Sequence, residues 1–116
     1  MSETSQALNT LVDCAQLARH LRDPDWVTVD CRYDLADPQA GERAYRRGHI
    51  PGAVYAHMEQ DLSAPAGEHS GRHPLPDPDA LARALGAWGI GAHTQVVAYD
   101  DAGGAMAARL WWLLHW

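Results

Sequence analysis

Few side chains in this 116-residue chain have both the type and the setting for covalent chemistry. Cys31 closes the run Trp26-Val27-Thr28-Val29-Asp30-Cys31 and stands directly before Arg32. A guanidinium beside a thiol at a strand end favours the thiolate, so Cys31 is a candidate nucleophile; the plainer reading is a small buried hydrophobe. Cys14, on the apolar face of a short helix, reads as core. His69 and His73 are four residues apart, the spacing that puts two metal ligands on one helical face. Gly71 and Pro74 oppose a helix there and no third ligand stands near, so no metal is expected. All nine basic residues are Arg and none is Lys, which excludes a lysine Schiff base and a P-loop lysine. Gly86-Ala87-Trp88-Gly89-Ile90-Gly91 has the look of a dinucleotide loop. It follows a helix and precedes a strand, the reverse of what that loop needs, and no cofactor is expected.

The elements that would carry these residues alternate. Leu11-Val12 reads as a short strand and Asp13 as the cap of a helix whose apolar face is Cys14, Leu17, Ala18 and Leu21. Asp23-Pro24-Asp25 ends it, and Trp26–Cys31 is a short β-branched run of the kind buried inside a layered sheet. Arg32–Gly48 reads as a charged surface excursion with one helical turn. His49–Tyr55 re-enters as a strand, Pro51-Gly52 bending its start and His49 orienting the bend as a hydrogen-bonding group. An irregular stretch runs from about His57 to Pro76. Asp77-Pro78 then starts a helix with the stripe Leu81, Ala84, Leu85 and Trp88. Gln95–Tyr99 is the clearest strand, Asp100–Gly104 a turn, and Ala105–Trp116 a helix. This alternation predicts an α/β fold with a largely parallel central sheet, whose sites form where loops leave the C-terminal ends of strands. The loops after Cys31 and after Tyr99 qualify best.

Fifteen Asp and Glu against nine Arg give a formal net charge of -6. That balance argues against nucleic acid or an anionic membrane as partner. The polar start Met1-Ser2-Glu3-Thr4-Ser5-Gln6 carries no signal peptide, and Ala105–Trp116 is far too short to span a bilayer. A soluble, cytoplasmic protein with reduced thiols is expected.

Six segments then carry a family resemblance: Val29-Asp30-Cys31-Arg32; Tyr45-x-x-Gly48-His49-Ile50-Pro51-Gly52-Ala53; His73-Pro74-Leu75-Pro76; Leu85-x-x-x-Gly89-Ile90; Val96-Val97-x-Tyr99-Asp100; and Ala108-Arg109-Leu110-Trp111-Trp112. In this order, over most of the chain, they resemble the rhodanese-like sulfurtransferases, and specifically the first domain of the two-domain thiosulfate and 3-mercaptopyruvate enzymes. The resemblance implies a three-layer fold and transfer of sulfane sulfur through a cysteine persulfide. Active members place their cysteine directly after a strand like Val96–Tyr99, where this chain has Asp100 and Asp101. Carboxylates there cannot attack sulfur and repel an anionic donor. The domain is therefore expected to be silent alone, with the cysteine in a second rhodanese domain in cis.

The same resemblance places His73, Glu59 and Arg72 at the cleft between the two domains, Arg72 able to attract a small anionic sulfur donor. Asp30, Arg32, His49, Asp100 and Arg109 take structural roles, with Arg109 expected to pair with Asp30 or Asp100. Trp111 and Trp112 are adjacent, so one is expected in the core and the other facing a missing element. Residues 1–116 read as one rhodanese-like domain of the inactive N-terminal type that stops short of its last strand and helix. The alternative is a stand-alone inactive module for binding or regulation.

Overall fold

A computed structural model describes residues 11–65 and 73–116. The first helix, α1 (Cys14–His20), is set by a reciprocal cap: Asp13 accepts the N–H of Gln16 at 2.8 Å, and the Gln16 side chain accepts the N–H of Asp13 at 3.3 Å. The strand β1 (Trp26–Asp30) follows. The helix α2 (Ala40–Arg47) is two turns where the charged composition suggested one, since Glu42 and Arg46 pair at 2.9 Å along its face. The strand β2 is short, Val54–Tyr55, because Pro51-Gly52 bends the chain just before it, Gly52 at a φ of 79° that favours glycine. Asp77 caps α3 (Pro78–Ala87) through the N–H of Ala80, with Pro78 at the first helical position. Then come β3 (Gln95–Tyr99) and α4 (Ala107–His115).

The three strands form a sheet in the order β2-β1-β3, both pairings parallel, with Val29 opposite Val54 and Ala98 and Asp30 opposite Tyr55 and Tyr99. Alternation along the strands sends Val27, Val29, Val54, Val96 and Ala98 to one face, where Leu81, Leu85 and Trp88 of α3 and Leu110 and Leu113 of α4 complete the core. The opposite face carries Asp30, Tyr55 and Tyr99. There Tyr45 of α2 packs on Tyr55, ring centroids 5.5 Å apart. Helices thus flank both faces of the sheet, in three layers. Gly41 lets α2 come this close: a Cβ at that position would lie 1.9 Å from the Arg32 carbonyl oxygen.

Three expectations about the rim of the fold need correction. Leu11 and Val12 form no strand; Leu11 is 92% exposed, and β3 has no neighbour on its outer edge among the described residues. Cys14 is exposed rather than core, because the apolar side of α1 faces an open groove instead of packed side chains. Neither Trp111 nor Trp112 enters the core: both are 45% exposed, since Leu110 and Leu113 take the inward positions of α4. The groove has a volume of about 810 Å³ and is walled by α1, the outer edge of β3 and the Trp111 side of α4. Among the described residues, no helix is long and apolar enough to cross a membrane.

Candidate functional site

The C-terminal ends of β1 and β3 are locked together by charge. The Asp30 carboxylate is fully buried and accepts the Arg32 guanidinium at 2.6 to 3.1 Å, the Arg32 N–H at 3.0 Å and the Tyr99 hydroxyl at 3.0 Å. Arg32 also donates to the Gly48 carbonyl at 2.7 Å, and the Tyr99 oxygen accepts the N–H of Ile50 at 3.2 Å, so the pair fixes the loop before β2. The bond to Asp30 raises the Arg32 pKa further. His49 also contacts that loop: its Nδ1 donates to the Tyr45 carbonyl at 2.7 Å and its ring stacks on Tyr45 at 3.9 Å. These contacts hold the ends of β1 and β3 and the loop before β2 together, and they commit the Arg32 guanidinium to Asp30 and the Gly48 carbonyl. Burial, followed by the charges of Asp30 and Asp100, pushes the Cys31 thiol up to about 12. Cys31 is thus buried, with its neighbouring guanidinium committed to Asp30, the setting of the plainer reading, a small buried hydrophobe, rather than of a nucleophile.

At the end of β3 the chain turns through Asp100–Gly104 into α4. Asp100 accepts four backbone N–H groups: those of Ala102 and Gly104 on Oδ1, at 3.0 and 2.8 Å, and those of Met106 and Ala107 on Oδ2, both at 2.7 Å. Partial burial raises its pKa, but the four donors outweigh this and hold the carboxyl below the usual carboxylate range. A ring of N–H groups leading into a helix is a place for an anion, and here the protein's own carboxylate fills it.

A second cluster lies beyond β1. The Tyr33 hydroxyl donates to Glu59 Oε1 at 2.5 Å, and the Tyr33 ring meets the ring of His73 edge-on at 5.7 Å. Tyr33 thereby joins Glu59 and His73, two residues that sequence reasoning singled out; Arg72 lies outside the described residues, as does His69. His57, buried at 2% exposure, also meets the Tyr33 ring edge-on, at 5.8 Å. Sequence reasoning missed Tyr33 and His57. The signal for Tyr33 was its register, two residues after Cys31 on the inward face.

Arg109 pairs with neither Asp30 nor Asp100, which corrects the expectation of a carboxylate partner. Those carboxylates are filled by Arg32, Tyr99 and the loop amides. Arg109 instead donates to the carbonyls of Leu62, His73 and Pro74 at 3.0 to 3.1 Å, and partial burial lowers its pKa. A guanidinium has five N–H donors in a fixed fork, enough to tie both ends of the irregular stretch to α4. Among the described residues, no three His, Cys, Asp or Glu side chains gather as a metal site.

The family model described as Rhodanese-like domain matches residues 13–116. The chain belongs to the rhodanese-like domain family. Over 107 residues this rhodanese-like chain is 55% identical to a Pseudomonas aeruginosa protein named "Probable 3-mercaptopyruvate sulfurtransferase", covering 91% of the chain and 38% of that protein. It is 35% identical over 101 residues to thiosulfate/3-mercaptopyruvate sulfurtransferase 2 of Arabidopsis thaliana, covering 85% of the chain and 28% of the relative. The solved structure of 3-mercaptopyruvate sulfurtransferase from Leishmania major superposes with a TM-score of 0.81 at 34% identity, over 90% of this chain and 28% of that one. The rhodanese-like chain thus spans well under half of each relative.

Proposed function

We propose that this chain is the non-catalytic N-terminal rhodanese domain of a sulfurtransferase, with the persulfide-forming cysteine in a second domain in cis. The observation that carries the reading is Asp100. Its carboxylate takes the four amide donors after β3, where an active rhodanese domain holds a thiolate. The inert setting of Cys31 and the greater length of the relatives support it. In the reaction, a thiolate of the second domain bonds to the donor's transferable sulfur as that sulfur's bond to the rest of the donor breaks: thiosulfate releases sulfite with the S–S electron pair, and 3-mercaptopyruvate releases the enolate with the C–S pair, which takes up the thiol proton to become pyruvate. An acceptor thiol or cyanide then takes that sulfur and releases the thiolate. This chain supplies the facing wall of the cleft: Glu59 and His73, placed together by Tyr33, and Arg72 as a cation for the anionic donor.

The reading extends to the domain itself. The outer edge of β3, which has no strand beside it among the described residues, and its apolar groove fit a further parallel strand and covering helix, as the resemblance to the rhodanese fold implies.

The test is sulfur transfer to cyanide from thiosulfate or 3-mercaptopyruvate, by the 116-residue chain and by the gene product at its natural length. The reading expects no turnover from the chain and turnover from the longer product. An active chain contradicts it, and a gene that ends at Trp116 with no activity favours the stand-alone binding module.

A further inference from the structure

Glu59 is exposed, yet it is held at both ends. Its backbone N–H donates to His57 Nδ1 at 3.1 Å and its carboxylate accepts the Tyr33 hydroxyl. Fixing a long exposed side chain stabilises a fold little, because the ordering entropy offsets what the hydrogen bond returns. The groups that fix it are nonetheless among the most buried on the molecule, Tyr33 and His57. His57 Nδ1 also accepts the N–H of Gln60 at 3.3 Å, so the ring proton is on Nε2. That Nε2–H is buried and has no hydrogen-bond acceptor among the described residues, a cost in stability that an apolar side chain would avoid. What the imidazole provides in return is one acceptor nitrogen facing the turn that carries Glu59. Asp61 closes the turn, accepting the His57 N–H at 2.8 Å and donating its own N–H to the His57 carbonyl at 2.9 Å. Arg109 ties down its far end at Leu62.

We infer that Tyr33 and His57 are positioning residues for Glu59, His57 acting through its backbone and Tyr33 through its carboxylate. Tyr33, edge-on to His73, also sets the spacing of the Glu59 and His73 pair. This rests on the proposed reading of Glu59 and His73 as the wall of the donor cleft. Neither positioning residue touches the donor; both act through Glu59.

The test is steady-state transfer from 3-mercaptopyruvate to cyanide by the gene product at its natural length, for Tyr33→Phe, His57→Asn, His57→Leu, Glu59→Gln and the double variant Tyr33→Phe/Glu59→Gln. Tyr33→Phe is expected to lower kcat about tenfold and leave KM within about twofold, melting as the parent does. His57→Asn, whose amide oxygen replaces Nδ1 as acceptor, retains activity, whereas His57→Leu falls with Tyr33→Phe. The double variant is no worse than Glu59→Gln alone, because Tyr33 works only through that carboxylate. Additive losses, or a fully active Tyr33→Phe beside an impaired Glu59→Gln, overturn the role of Tyr33. A folded but inactive His57→Asn overturns that of His57. An unimpaired Glu59→Gln, or a gene product that transfers no sulfur, overturns the cleft reading itself and this inference with it.

Discussion

The Asp100 carboxylate, gripped by four amides, has its pKa lowered by folding. A lowered folded pKa gives stability that is present above the unfolded carboxyl value, about 3.9, and is lost as pH falls through the lower folded value. Asp100→Asn removes that dependence. Its stability measured by urea unfolding between about pH 2 and 5 is expected to fall less steeply than the parent's, and at pH 7 it is less stable by about 2–3 kcal/mol, because the Asn Nδ2 is a donor and leaves two of the four amide N–H groups without an acceptor. Parallel curves for the two proteins would show that the loop does not depend on this charge. The sequence pattern located Asp100 because strand and turn signals frame it. It misplaced Arg109, because a free guanidinium next to two candidate carboxylates looks like an ion pair until other donors are seen to have filled both.

Between elements, Arg109 does what no periodicity announces, joining α4 to the carbonyls at both ends of the irregular stretch. Arg109→Met keeps much of the apolar stem and removes the guanidinium donors from the carbonyls of Leu62, His73 and Pro74. The expected result is a loss of about 2–3 kcal/mol in denaturant unfolding and faster amide exchange at Ala64, whose N–H donates to the Pro74 carbonyl. Unchanged exchange there would mean the stretch holds itself. The strands and α3 were legible because β-branched runs, a capping Asp and Pro78 act locally. The second turn of α2 was hidden by its charge, since Glu42 and Arg46 stabilise it along the helix surface rather than by a buried face.

For the molecule as a whole, the apolar side of α1, the outer edge of β3 and the Trp111 side of α4 meet at one open groove. Periodicity identified these faces but assigned Cys14 and one of the paired tryptophans to the core, because a pattern shows that a face is apolar and not what lies against it. If further polypeptide fills the groove, the 116-residue chain binds an apolar dye such as ANS strongly, and the longer gene product binds little and shows less quenching of Trp111. Equal dye binding by both would contradict the proposed strand at β3. The central claim, that sulfur is carried elsewhere than on this domain, is tested most directly by mapping the persulfide. The gene product is loaded with 3-mercaptopyruvate, alkylated, digested and read by mass spectrometry. The account predicts the added sulfur on a cysteine beyond Trp116, with Cys14 and Cys31 both unmodified; a persulfide on Cys31 would contradict it.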